Sequence, residues 1–111
     1  MTIRNIIPLA LGMFLLAGFP VITQAAESPR TTWIKAKCAV CHGENGAGNT
    51  RQGKDTHAPD LRRPEIQKLS DPELRALIEK GHAHMPSFKT ALTNEQVTLL
   101  LYYIRSLAPK K

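Results

Sequence analysis

The chain has 111 residues, carries 15 Lys and Arg against 9 Asp and Glu, and has a formal net charge of +6. That length admits one domain and excludes two of ordinary size. The positive balance favours acidic partners but is no nucleic-acid signature, because Trp33, Phe88, Tyr102 and Tyr103 stand apart from any basic run.

Residues 1–25 read as an export signal rather than as part of the fold. Arg4 gives a short basic start and Ile6 to Phe19 an apolar run broken only by Pro8 and glycines. Thr23-Gln24-Ala25 then ends in the small residue that cleavage requires, so cleavage is expected after Ala25 or Ala26. The apolar run is shorter than the ~20 residues of a spanning helix, which weighs against an uncleaved anchor. Phe19 stands where a lipoprotein box would demand a cysteine. The expected mature domain is 26–111 and the expected location the periplasm. Processing also removes Met1 and Met13, leaving Met85 as the one thioether beside the two thiols, Cys38 and Cys41.

Along the mature chain, Ser28-Pro29 is an N-cap followed by a first helical position, and a short helix carrying Trp33 and Ile34 leads to the cysteines. From Gly43 to Arg63 the periodicity vanishes, and glycines together with Pro59 mark a loop of about twenty positions, a length uncommon in a compact domain unless the loop wraps something. Ser70-Asp71-Pro72-Glu73 spells a capping box; Leu74, Leu77 and Ile78 follow on one face, and Gly81 stops the helix. GHAHMPSF is a second irregular stretch, in which Pro86 keeps Met85 out of helical conformation. Thr93 with Gln96 opens the last helix, whose apolar stripe is Val97, Leu100, Leu101, Ile104 and Leu107. With no alternating strand pattern anywhere, the fold class is all-α, with three main helices and two long loops.

CAVCHG, residues 38 to 43, carries the chemistry. A redox dithiol would open a helix after a strand, where the dipole lowers the nucleophile's pKa, whereas these cysteines are expected to close a helix. A zinc site would need His57, His82 or His84 to complete four ligands from two separate loops. Covalent haem attachment uses every residue: two cysteines two positions apart meet the two vinyl groups of one porphyrin, and the adjoining His42 falls beneath the iron.

In this order and spacing, CAVCHG, GAGN, HAPDLRR, GHAHMPSF and LTNEQVTLLLYYIRSL resemble a small bacterial class I cytochrome c over essentially the whole mature chain. The resemblance implies a cytochrome c-like fold in which the first and last helices cross and the loops enclose one covalently attached haem c. It implies Cys38 and Cys41 as thioether positions, His42 and Met85 as axial ligands, and the Pro59 carbonyl as acceptor of the His42 Nδ1 proton. Two departures are visible: the interval from His42 to Pro59 is longer than in mitochondrial relatives, and Arg30 stands where helix crossing favours a small residue. Trp33 or Ile34 against Tyr102 or Tyr103 is expected to make that crossing.

The function implied is single-electron carriage between respiratory or periplasmic oxidoreductases, by a monomer and not an enzyme. A basic rim of Arg51, Lys54, Arg62, Arg63 and Lys68 would steer encounter with acidic docking surfaces. Two alternatives stay open. One is a cytochrome c subunit of a larger oxidoreductase complex, membrane respiratory complexes being the partners it would share with the carrier; the other is a five-coordinate or bis-histidine haem protein, with His82 or His84 near the iron, that binds ligands or catalyses a reaction.

Overall fold

The computed structural model describes residues 12, 15 and 17–111; most of the expected export signal lies outside the described residues. Among the described residues there are six helical segments and no strand. They are α1 (Pro29–Lys35), α2 (Cys38–His42), α3 (Arg51–Thr56), α4 (Pro64–Gln67), α5 (Asp71–Lys80) and α6 (Asn94–Ser106).

Local chemistry sets most boundaries. Ser28 accepts a hydrogen bond from the Thr31 amide at the head of α1, with Pro29 at the first helical position. Reciprocal capping boxes, Ser70 with Glu73 and Thr93 with Gln96, open α5 and α6. Such a cap is worth about 1 kcal/mol, and here the two caps start the two longest helices at the positions their sequences indicate.

The core is small. Trp33, Leu61, Leu74, Ile78, Val97, Leu100, Leu101 and Ile104 are its buried apolar side chains, four of them from α6. α6 crosses α1 through Trp33 and Tyr103, whose ring centroids are 5.0 Å apart. Arg30 takes no part in that crossing; it pairs at 3.2 Å with Glu44, whose carbonyl also accepts the Tyr103 hydroxyl. α5 is fastened to α6 by polar contacts. Arg75 donates to Asn94 Oδ1 and Thr98 Oγ1, each at 2.7 Å, and the Arg105 guanidinium holds the Asp71 carboxylate and the Leu69 and Gln67 carbonyls.

Two expectations change. The segment after Gly43 is not a bare loop, since it contains α3, whose six residues are too few to print a periodicity. Leu77 is half-buried; with Leu69, Ala76 and Gly81 it lines an open concavity of ≈ 350 Å³ beside α5.

Candidate functional site

Lys37 separates the cysteine motif from α1. Its backbone is left-handed, φ 62° and ψ 19°, so α1 stops and a new five-residue helix begins at Cys38. The cysteines therefore open a helix rather than close one, which removes one argument against a redox dithiol and supplies a better one. Burial pushes the Cys38 thiol up to about 11, whereas a reactive dithiol needs a nucleophile well below the ordinary cysteine value. Cys38 and Cys41 are free thiols less than one helical turn apart.

α3 and the loop before it build the support under α2. The Thr50 hydroxyl donates to the carbonyls of Val40 and Cys41, at 2.7 and 2.9 Å, and accepts the amide of Gly53 as the N-cap of α3. The Gly48 amide donates to the His42 carbonyl at 2.8 Å. Gly53 sits so close to α2 that a Cβ there would strike the Cys41 and Gly48 carbonyl oxygens. The first long segment, after Gly43, thus wraps the end of the helix bearing the cysteines and histidine.

His42 is the electrostatic focus. Burial lowers its pKa, and the Pro59 carbonyl opposes that shift by favouring the protonated ring. Its Nδ1 is nevertheless buried without a partner in regular hydrogen-bond geometry. Both observations hold if the Pro59 oxygen faces the ring from just outside that geometry, near enough to polarise it. The Trp33 ring lies 5.9 Å from the imidazole at 45°, and its indole N–H donates to the Gly43 carbonyl at 3.0 Å. The residue following the histidine is therefore pinned to the core.

Met85 lies in the loop between α5 and α6. A pair of backbone hydrogen bonds with His82, 3.0 and 2.8 Å, closes a tight turn whose Ala83 is left-handed at φ 50°. Cys38 and Met85 are both half-buried against the same apolar core. His82 and His84 are exposed on the turn, and His57 is an exposed left-handed cap at the end of α3. Among the described residues no three His, Cys, Asp or Glu side chains converge as a metal site, so the ligand set a structural zinc would require is not assembled.

The expected basic rim is broken at one place, because Arg62 forms a bidentate pair with Asp60, its Nε 2.9 Å from the carboxylate. Arg51, Lys54, Arg63 and Lys68 are exposed. Thr50 and Trp33 are the supporting residues whose roles at the site went unread in the sequence. A Thr-x-x-Gly cap was legible after Asn49, but that its hydroxyl would reach back ten residues to α2 was not.

A sequence profile of the family described as "Cytochrome C oxidase, cbb3-type, subunit III" matches residues 24–104. Among solved structures the chain is similar to one titled "KustC0563 c-type cytochrome", with a TM-score of 0.68 and 28% identity over 75% of this chain and 100% of that one. No curated protein matches.

Proposed function

Because this chain belongs to the cbb3-type cytochrome c oxidase subunit III family of c-type cytochrome domains, which serve haem-based electron transfer, we propose that it carries single electrons in the periplasm. The carrier would hold one haem c through Cys38 and Cys41, between His42 and Met85. The observation that carries this reading is the donor set: two free thiols and a half-buried imidazole on one five-residue helix, with a thioether-bearing loop packed against the same core. The residues suit the group. Nδ1 of His42 is free of any rival partner and lies near a carbonyl that would keep its proton there, turning the other ring nitrogen outward as a ligand.

The bound group would supply a one-electron iron couple. The chain's contribution would be to hold the two donors, His42 and Met85, in place. Thr50, Gly48 and Trp33 hold the His42 end through the backbone of residues 40–43, and the turn at 82–85 presents Met85. Were His42 and Met85 both to bind the iron, no coordination site would be left for a substrate, which favours a carrier over an enzyme. A thioether in place of a second imidazole raises the potential. Leu69, Ala76 and Leu77, which line a concavity not closed by the chain itself, supply apolar wall near the Met85 loop.

Export and processing after Ala25 or Ala26 are supported by where the domain begins. Glu27 is half-buried, accepts a hydrogen bond from Gln96 at 3.2 Å and pairs with Lys35 at 3.5 Å, whereas residues 17–26 are exposed throughout. Among the described residues no helix is long and apolar enough to cross a membrane.

The test is the visible spectrum and intact mass of the secreted protein. The expected product is red, heavier than the processed chain by one haem, shows a sulfur-to-iron band when oxidised and binds no carbon monoxide when reduced at neutral pH. A colourless product would overturn the reading. A second reading, a domain or subunit held in a larger oxidase, is favoured by the family's own description; co-purification at a fixed ratio with membrane proteins would select it.

A further inference from the structure

The geometry points to Ser87 as the positioning residue of the Met85 thioether, an inference that rests on Met85 being the ligand. The last turn of a helix leaves four carbonyls without intrahelical partners. In α5 these are Ile78, Glu79, Lys80 and the cap Gly81, and two of them are taken by the loop that bears Met85. The Gly81 amide closes the last ordinary helical bond onto Leu77 at 2.9 Å; beyond it the Phe88 amide donates to Ile78 at 3.1 Å and the Ser87 hydroxyl to Glu79 at 2.5 Å. Residues on both sides of Met85 are therefore bonded to one helix end.

The interior of the loop is equally closed. His82 and Met85 exchange backbone hydrogen bonds, and Gly81, at φ 76°, faces the loop so closely that a Cβ would lie 2.6 Å from the Met85 carbonyl oxygen and 2.8 Å from the Ser87 nitrogen. The opposing influence is Ala83, a residue with a Cβ held left-handed at φ 50°, a conformation that costs energy and favours release of the turn. Of the contacts closing the loop, the Ser87 hydroxyl is the one made by a side chain; its removal loosens the segment after Pro86, which keeps only the Phe88 amide on α5, without touching the backbone. α5 is in turn tied to α6 by Arg75, so this hydroxyl registers the thioether against the main core.

The test titrates oxidised holoprotein with imidazole, which competes with Met85 for the iron. S87A is expected to bind imidazole about three- to tenfold more tightly, the loss of one hydrogen bond holding the competitor in place. S87T, which keeps the hydroxyl, should stay within about twofold of the parent. Amide exchange at Phe88 and Met85 should quicken in S87A and not in S87T. Unchanged imidazole affinity in S87A overturns the inference, whether or not thermal stability falls, because a merely structural serine would alter stability alone. If instead the parent lacks the sulfur-to-iron band and M85A binds imidazole no more tightly than the parent, the ligand assignment itself fails and the inference falls with it.

Discussion

Trp33 bridges His42 and Tyr103: its ring is 5.9 Å from the imidazole and 5.0 Å from the phenol, and its N–H donates to the Gly43 carbonyl. One side chain therefore joins the crossing of α1 and α6 to the end of the helix that bears the cysteines. Any loosening of that crossing reaches His42 through a single indole.

Trp33→Phe preserves the aromatic contact but leaves the buried Gly43 carbonyl without its donor. Its cost is expected at about 1–3 kcal/mol, the price of an unsatisfied buried acceptor. Trp33→Ala adds a cavity, and about 3–5 kcal/mol is expected. Urea unfolding of the holoprotein followed by circular dichroism measures both. Equal stability of the Phe variant and the parent would show that the indole hydrogen bond contributes nothing.

Thr50→Val keeps the shape and removes the hydroxyl that caps α3 and reaches the Val40 and Cys41 carbonyls. A loss of about 1–2 kcal/mol is expected from the combined cap and hydrogen bonds. Thr50→Ser should recover most of it. The same urea titration decides, and a Val variant as stable as the parent would mean that α3 supports α2 through Gly53 packing alone.

How much of this was legible beforehand depends on the range of the interaction. Ser28, the Ser70–Glu73 box and the Thr93–Gln96 box act within one helical turn, so their residues print the helix starts directly. The α6 stripe of Val97, Leu100, Leu101 and Ile104 was readable because a 13-residue helix repeats its period several times. α3 was not, since a six-residue helix with a glycine in it presents neither a period nor a buried face of its own; it forms because Gly53 can touch the α2 backbone. The break at Lys37 was equally hidden. Nothing local calls for a left-handed lysine, yet Lys37 takes that conformation between the end of α1 and the start of α2. At the candidate site the sequence named the donors, Cys38, Cys41, His42 and Met85, but not the groups that hold them, because Thr50, Trp33 and Ser87 act through carbonyls eight to ten residues away.

The Asp60–Arg62 pair predicts an acid-limb effect. The Arg62 guanidinium holds the Asp60 carboxyl down at about 2, against an ordinary 3.8. A carboxylate with a depressed folded pKa contributes stability that is complete above its unfolded value and is lost as pH falls through the folded one. The contribution of this pair should therefore disappear between about pH 4 and pH 2. It is modest, because the pair is partly solvent-exposed. Asp60→Asn should flatten that part of the curve of thermal midpoint against pH and leave the region above pH 5 parallel to the parent. A variant curve that still falls with the parent's slope from pH 4 to pH 2 would assign the effect elsewhere, Glu73 in its capping box being the next carboxyl with a lowered pKa.

The last prediction concerns the chain without its prosthetic group. The buried apolar set is eight side chains, half of them on α6. α2 and α4 contribute no buried residue and α3 contributes only Gly53. Small domains bury too little of their surface to offset chain entropy comfortably and lean on a cross-link or cofactor. Leu69, Ala76 and Leu77 face a concavity, rimmed by Glu73 and Lys80, that the chain leaves open, so on the proposed reading that side of α5 would gain an apolar partner from the prosthetic group. Cys38→Ala/Cys41→Ala is therefore expected to lose most of its far-ultraviolet helical signal and to unfold without a cooperative transition. What survives should be a weak helical bias in the two segments with complete capping boxes, α5 and α6. Full helix content with a sharp melt would mean that the eight-residue core suffices alone, and that the open wall of α5 has another purpose.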